Sequence, residues 1–255
     1  MRGRWVGLKT LVRRECGVTV RYWSFTLAPA VITTILYFTI FGEIMGERIG
    51  SLDGVDYIQY IAPGLILLWV IPYSFGHTAA GLVGARFFKY IEELLVSPLP
   101  DWVIMTGYVI GGMIRGLLVA MAVALTALFF THLNVHSLSV SVAALLLAAL
   151  VSALGGFITA MFAKSFEHVS MIQISILIPL TYVGGIFNSI STLPDWAQEL
   201  SLVNPMFYMV NAFRYGFLGV ADVPVGTAFA VVSAFGAVLL LTALRFMARG
   251  SGIRD

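Results

Sequence analysis

Few residues of the types that most often catalyse reactions or bind metals occur in this 255-residue chain, and their spacing is unfavourable. His132 and His136 are four residues apart, so a helix would place both imidazoles on one face, where a metal ion could bind. No carboxylate lies near them in the sequence, and the pattern favours two polar residues at a membrane interface. Ser74, in the segment PYSFGH, lacks the preceding glycine of a nucleophilic serine. We therefore expect no catalytic residue, no metal site and no enzymatic activity.

ATP binding by a phosphate loop needs a lysine directly after a glycine, so that the ammonium group reaches the phosphates. The three lysines of this chain instead follow Leu8, Phe88 and Ala163. We expect no ATP site and no cofactor in this chain. If ATP drives the protein, ATP and Mg²⁺ must bind to a separate polypeptide.

The composition indicates a membrane protein. Apolar residues make up 59% of the chain and charged residues 11%, with a mean hydropathy of +0.93. Soluble domains contain about a quarter charged residues, so much of the apolar surface here must face lipid or other helices. The net charge of +2 is too small to indicate a nucleic-acid partner. Because Cys16 is the only cysteine, there is no internal disulfide.

Six apolar segments are candidates to cross a hydrocarbon core of about 30 Å, which predicts an all-α membrane fold. Spans one to six are predicted at residues 24–41, 61–85, 102–130, 138–162, 171–187 and 225–244. The third is long, so we expect it to tilt, to kink near Gly111 and Gly112, or to begin as an interfacial turn at Asp101. Pro179 interrupts the fifth. Such breaks are tolerated where neighbours satisfy the backbone, so we expect this span inside the bundle.

The distribution of positive charge predicts the orientation. Of the 15 lysines and arginines, 12 lie before span one, in the two connections that follow spans two and four, or after span six. Only Arg48 and Arg214 fall on the opposite side, and Arg115 lies within a span. Since basic loops resist translocation, we expect both termini in the cytoplasm.

The segments next to the spans have helical patterns of their own. Residues 1–22 predict an amphipathic helix along the membrane surface, whose apolar face holds Trp5, Leu8, Val12 and Cys16. Residues 86–100 predict a short helix ended by Pro98 and Pro100, which is either an interfacial loop or a rigid knob that docks into a soluble partner. Residues 188–224 contain many aromatic residues, with Pro194 and Pro205 as breaks between helical pieces, which predicts re-entrant helices at the outer interface.

These parts form one predicted transmembrane domain over residues 1–255. It consists of the interfacial helix at 1–22, the six-span bundle at 24–248 and a cytoplasmic tail at 249–255. The sequence predicts no secretory signal, internal repeat or low-complexity linker.

Some polar residues fall within or beside the spans. Arg115 is costly inside a span unless it snorkels to the headgroups, finds a carboxylate or lines water. Gln173 and Asn188 on span five are milder cases, because a single amide often links helices. Arg214 either anchors at the interface or pins the outer helices by pairing with an acid. The candidate acids are Glu199, Asp195, Glu43 and Glu47.

Several short motifs occur in a specific order across the chain. They are YIAPGL at 60–65, IEELLVSP at 91–98, the stretch 107–115, PLTYVGGIF at 179–187, LP at 193–194, NP at 204–205 and FRYG at 213–216. In this order, and with six spans, the chain resembles the ABC-2 type transporter permeases, the membrane subunits of ATP-driven exporters. The resemblance covers essentially the whole chain and is closest to the YadH-like bacterial inner-membrane subgroup.

The resemblance implies partners and a mechanism. Such permeases form homodimers that bind two copies of a separately encoded ATPase, and a helix between spans two and three couples the subunits. The matching coupling residues in this sequence are Lys89, Glu92, Glu93, Leu94 and Pro98. The amphipathic N-terminal helix also rests against the ATPase. Substrates in the family include drugs, lipids, glycolipids and polysaccharides.

The leading hypothesis is an export permease in which spans one, two and five line a path at the dimer interface. Small residues in span five would let two copies approach closely. Candidate path or gate residues are Gln173, Tyr182, Phe187, Asn188 and Arg214. The alternative is a secondary carrier or channel without an ATPase, for which Arg115 is the only intramembrane charge noted. A membrane-anchored assembly factor is a third hypothesis.

Overall fold

The computed structural model describes residues 2–52, 54–91, 96 and 99–249. The chain begins with α1 (Arg2–Arg21), α2 (Trp23–Tyr37), a π-helical continuation at Phe38–Ile44, α3 (Gly46–Ile49) and a small hairpin of β1 (Ser51–Leu52) and β2 (Val55–Asp56). Three long helices follow, α4 (Tyr57–Phe87), α5 (Asp101–Ala127) and α6 (Leu138–Phe162). The rest comprises α7 (Phe166–Ile172), a π-helical segment at Gln173–Leu177, α8 (Ile178–Val183), a 3-10 turn at Ile190–Thr192, α9 (Asp195–Val203), α10 (Pro205–Leu218) and α11 (Val225–Arg249).

Within the described residues, six helical segments are long and apolar enough to cross a membrane, which confirms the six predicted spans. They are Trp23–Gly42, Tyr57–Phe87, Asp101–Ala127, Leu138–Phe162, Phe166–Val183 and Val225–Arg249. The third span is one α-helix through Gly111 and Gly112, and it ends at Ala127. With six spans, α1 and the end of α11 lie on one side, together with the connections after α4 and α6. We call this side the terminal side and the other the far side.

The second span, α4, is the centre of the bundle. In its most apolar stretch 78% of the residues are buried, because α5, α6 and α10 all pack against it. Lipid offers no hydrophobic driving force between helices, so close packing of small residues must hold them together. A side chain on Gly112 of α5 would overlap the Thr78 hydroxyl, and one on Gly156 of α6 would overlap the Phe75 carbonyl. These glycines let both helices approach the backbone of α4.

The expectation that the fifth span lies inside the bundle is wrong for the single chain. Only 17% of that span is buried, and Met171, Ile174 and Ile176 are exposed. The physical reason is local. Pro179 falls in the first turn of α8, where no intrahelical donor is needed, and the preceding π-helical segment absorbs the change in the chain. The break in the helix at Pro179 therefore needs no hydrogen-bond partners from surrounding helices.

On the terminal side, α1 packs mainly against α5. Its buried face holds Leu11, Glu15 and Thr19, which recur every four residues and so share one side of the helix. Trp5, which the sequence predicts to face the lipid, is not covered by the rest of the protein and is 72% exposed. A helix over residues 2–21 is thus present, and its position on the membrane surface stays a prediction.

On the far side, the chain after α8 forms two helices, α9 and α10, and both lie within the predicted outer segment. The side chain of Asn204 caps α10 by accepting a hydrogen bond of 3.0 Å from the Met206 amide. Gly219 ends α10 in the left-handed region at φ 73°. Apolar side chains such as Phe207 and Phe213 are buried. Whether these helices enter the outer leaflet stays a prediction.

Part of the predicted coupling segment lies outside the described residues. After α4 the chain turns through Phe88 and Tyr90, and Lys89 is exposed with φ 61°. Glu92, Glu93, Leu94 and Pro98 are among the residues that the structure does not describe. Their helix therefore remains a sequence prediction, as does the tail beyond Arg249.

Candidate functional site: two buried polar clusters on the central helix

Two groups of buried polar residues lie at opposite ends of α4. The Glu15 cluster, on the terminal side, consists of Arg14, Glu15, His77, Tyr108 and Arg115. The Asp222 cluster, on the far side, consists of Tyr60, Ser189, Asn211, Arg214 and Asp222. His77 and Tyr60 are about 25 Å apart along α4 at 1.5 Å per residue.

Three helices position the Glu15 cluster. The fourfold spacing on the inner face of α1 directs Glu15 towards α4 and α5, where its exposure falls to 4%. Gly111 of α5 makes room, because a Cβ at that position would lie 2.6 Å from the Glu15 Cβ and 3.3 Å from His77 Nε2. A glycine in α5 thus allows a carboxylate from outside the spans to reach a histidine within one.

The polar atoms of the Glu15 cluster form a continuous chain. Glu15 Oε1 accepts from Arg14 Nη2 at 2.7 Å, and Glu15 Oε2 lies 3.1 Å from His77 Nε2. On the other side of the ring, Arg115 Nη1 lies 3.1 Å from His77 Nδ1. A guanidinium can only donate, so His77 Nδ1 accepts from Arg115. His77 therefore lies between Arg115 and Glu15, with Nε2 facing the carboxylate.

Arg14 and Glu15 shift each other's pKa. Burial alone would raise the pKa of Glu15, but hydrogen bonds from His77 and Arg14 outweigh it and hold the pKa below its usual value. Burial would likewise lower the pKa of Arg14, but Tyr108 and Glu15 raise it. The Tyr108 hydroxyl accepts a hydrogen bond of 2.9 Å from Arg14, whose guanidinium lies 5.1 Å from the Tyr90 ring centre. Both groups of the pair are therefore charged.

A cavity of about 590 Å³ opens beside the Glu15 cluster. Arg14, Glu15, His77 and Arg115 form its polar wall. A smaller cavity of about 240 Å³ shares His77, Ala80 and Arg115 with it and reaches Gln173 of the fifth span. The Gln173 amide donates to the Pro72 carbonyl at 3.3 Å. The cluster is thus accessible along a cleft that runs between spans two, three and five.

The Asp222 cluster is closed by comparison. Arg214 is 1% exposed, and its Nη1 donates to Asp222 Oδ2 at 3.0 Å while Nη2 donates to the Gly185 carbonyl. Its guanidinium carbon lies 4.0 Å from the centre of the Tyr60 ring, a cation-π contact. Asp222 also accepts from the Ser189 hydroxyl and the Ile190 amide. This cluster ties α4 and α10 to the parts of the connection between spans five and six that precede α9 and follow α10.

The structure brings some of the predicted site residues together and separates others. Arg115 and Gln173 line the same cleft. Tyr182 and Phe187 stack with ring centres 5.9 Å apart beside Tyr37 and Phe41, and none of these four residues lines that cleft. Asn188 is exposed.

Two other predictions also have an outcome in the structure. The partner of Arg214 is Asp222 rather than Glu199 or Asp195, and the side chains of Glu43 and Glu47 lie outside the described part. Among the described residues, no three His, Cys, Asp or Glu side chains could jointly hold a metal ion.

Sequence reasoning missed Glu15, His77 and Asp222. A signal existed for two of them. Glu15 is the only acid of α1 and continues the apolar stripe from Leu11, which marks it as facing the protein. Asp222 is the only acid between Pro205 and Pro224, within a turn or two of Arg214. For His77 no such signal exists, because a single histidine in an apolar helix is compatible with many environments.

The six spans around a central helix define a polytopic membrane protein, and the sequence comparisons identify its family. The ABC-2 type transporter family model matches residues 6–218, so the chain belongs to the ABC-2 type transporter family. It is 44% identical over 98% of both chains to the inner membrane transport permease YadH of Escherichia coli K12, and equally to that of Shigella flexneri. It is 22% identical over 75% of its length to nodulation protein J of Rhizobium meliloti, of which it covers 74%. The chain is a transport permease of the inner membrane with several membrane-spanning helices.

Proposed function

We propose that this chain is the permease subunit of an ATP-driven exporter, which acts as a homodimer with two copies of a separate ATPase. Its cargo is a hydrophobic or amphipathic molecule such as a lipid, glycolipid, polysaccharide or drug. The observation that carries the proposal is membership of the ABC-2 type transporter family over residues 6–218. The lysines of the chain also lack the glycine that an ATP-binding loop needs, so the motor is a partner chain.

The end of α4 is the point at which the ATPase acts. Lys89 is exposed in the turn directly after α4, and the acidic pair Glu92 and Glu93 follows in sequence. Since α4 contacts α5, α6 and α10, a displacement at its terminal-side end is transmitted to the core of the bundle. This arrangement supports a coupling role for Lys89, Glu92, Glu93, Leu94 and Pro98.

The exposed faces of spans one and five support a path between two copies. Tyr37 and Phe41 of span one contact Phe187 after span five, with ring centres 5.9 and 4.9 Å apart, and the Tyr37 and Tyr182 hydroxyls are hydrogen-bonded. The two spans are 28% and 17% buried in the single chain. In the homodimer, these faces meet around the axis, with Asn188 and Arg214 near the far-side exit.

Reconstitution with the ATPase tests the proposal. The permease is expected to co-purify with the ATPase and to stimulate its hydrolysis. The double variant Glu92→Lys and Glu93→Lys should weaken assembly and coupled hydrolysis by reversing the charge at the contact. Glu199→Lys, an exposed change on the far side, is the matched control. No stable ATPase complex, or full coupling in the double variant, would refute the proposal.

A secondary carrier is the second candidate, and the Glu15 cluster favours it. Titratable groups inside the spans are typical of proton-coupled carriers, and His77 and Arg115 form such a pair. The candidates separate in vesicles that contain the permease alone. Cargo movement driven by a pH gradient without ATPase would support the carrier, and movement only with ATPase and ATP would support the exporter.

A further inference from the structure

Arg115 has no carboxylate of its own in the described part of the chain. Both oxygens of Glu15, the nearest acid in the cluster, are engaged by Arg14 and His77. Arg115 contacts His77 through one of its five N–H donors, and its Nε is buried without a hydrogen-bond partner among the described residues. A guanidinium within a membrane span is costly unless an anion or water compensates its charge.

The cavity beside Arg115 carries an excess of positive charge. Arg14 and Arg115 contribute two positive charges to its wall and Glu15 one negative charge. Among the described residues, these three side chains therefore give the wall a net positive charge. One anionic group at Arg115 would balance it, with a planar guanidinium well suited to bind the oxygens of a phosphate or carboxylate.

The rest of the wall is mainly apolar, apart from the hydroxyl of Tyr90. Val18, Ala80, Phe88 and Phe166 line the same cavity, and Phe88 and Phe166 are 69% and 38% exposed at the edge of the protein. Cavities of about 300–1,000 Å³ hold small organic ligands, and this one, at about 590 Å³, falls in that range. A free inorganic anion would bind the arginine but would make no apolar contact with the rest of the wall. An amphiphile would match both parts.

We propose that this cavity binds an amphiphile with one anionic oxygen headgroup, with the headgroup at Arg115 and the apolar chain along Val18, Phe88 and Phe166. The chemistry that Arg115 recognises is shared by lipid phosphates and free phosphate, and the apolar wall selects the lipid. The inference depends on the proposed function in one respect, that the bound molecule is the cargo of the exporter. Binding itself requires no ATPase.

The direct test is binding to the purified full-length permease in detergent, without ATPase. The probe is a fluorescent short-chain phosphatidylglycerol, which has one negative charge, and the matched zwitterionic probe is phosphatidylcholine of the same chain length. Phosphatidylglycerol is expected to bind at least about tenfold more tightly. Arg115→Gln should remove that preference, a loss of about tenfold or more expected for one charge-assisted contact. Arg115→Lys should retain part of it, and Arg48→Gln, an exposed charge on the far side, should retain all of it.

A second variant covers the case in which Arg115→Gln does not fold, as judged by gel filtration. Ala80→Trp fills the cavity at an exposed position and keeps the arginine, so it should abolish binding in a folded protein. Inorganic phosphate at millimolar concentration should not displace the lipid probe. Equal binding of both lipids, unchanged binding in Ala80→Trp, or displacement by phosphate would each overturn the proposal. Failure to couple to an ATPase would refute the proposed function and leave this binding result unaffected.

Discussion

The two buried clusters on α4 use the same residue types in different surroundings. In the Asp222 cluster, one arginine faces one carboxylate at 3.0 Å, and backbone groups and an aromatic ring occupy the remaining space. In the Glu15 cluster, the single carboxylate pairs with Arg14, Arg115 contacts only His77, and a cavity lies alongside. A balanced, closed pair fixes the positions of the helices that carry it. An unbalanced, open cluster leaves a charge for a ligand. The following predictions test this difference, in order of decreasing effect.

Asp222→Asn should have the largest effect. It leaves Arg214 buried and charged without a carboxylate, so the free energy of unfolding should fall by about 3–5 kcal/mol. Unfolding in mixed micelles with increasing sodium dodecyl sulfate measures this change. Asp195→Asn, an exposed acid at the start of α9, is the control and should change stability by less than about 0.5 kcal/mol. A similar small change for Asp222→Asn would mean that the Asp222 cluster isn't closed to water.

Glu15→Gln should have a smaller and more local effect, since its neighbours can reach water through the cavity. Loss of the charged acceptor should weaken the attachment of α1 by about 1–2 kcal/mol. Cys16, the single cysteine, reports on this attachment, and its labelling by a water-soluble maleimide should become about five to thirty times faster. Glu199→Gln should leave the labelling rate unchanged. A global loss of stability as large as that of Asp222→Asn would remove the distinction between the clusters.

Tyr108→Phe should have a smaller effect still. The substitution removes the hydroxyl that accepts from Arg14 at 2.9 Å but keeps the ring beneath the guanidinium. We expect the free energy of unfolding to fall by about 0.5–1.5 kcal/mol. A double-mutant cycle with Glu15→Gln should give a non-additive result, because both residues bind Arg14. Tyr22→Phe, at a half-exposed position, is the control, and strict additivity would show that the cluster doesn't act as a unit.

Moderate acidification should have the smallest effect. The groups that face Glu15 are Arg14 and His77, with Tyr108 and Arg115 behind them. The pKa of Glu15 is lowered in the folded protein, so its stabilising contribution is complete above the usual carboxyl pKa of about 4.3 and is lost only as the pH falls through the lower folded value. Hydrogen exchange in α1, corrected for intrinsic rates, should therefore be constant from pH 7.5 to about 5. A transition within that interval would contradict the ion-pair assignment.

The number of spans followed from the sequence because length and hydropathy decide it. The predicted limits of span four, 138–162, match α6. The centre of the bundle was harder to predict, since α4 and span five both contain prolines, and only packing shows that α4 is enclosed while Pro179 is accommodated by a change of helix type. Arg115 was found because a charge inside a span is conspicuous. Its neighbour Glu15 was not, because 100 residues separate the two and no local pattern joins them.

The central position of α4 also has a consequence for the order of synthesis. The ribosome makes α4 before α5, α6 and α10, the helices that enclose it in the folded protein. During that interval, Ser74, His77 and Thr78 lack the helices that cover them in the folded protein, and much of their surroundings must be lipid or the insertion machinery. Asp222 closes the far-side end only after α10 has been translated. Assembly of this bundle is therefore completed late, and substitutions at Gly112 or Gly156 should slow membrane assembly as well as destabilise the finished protein.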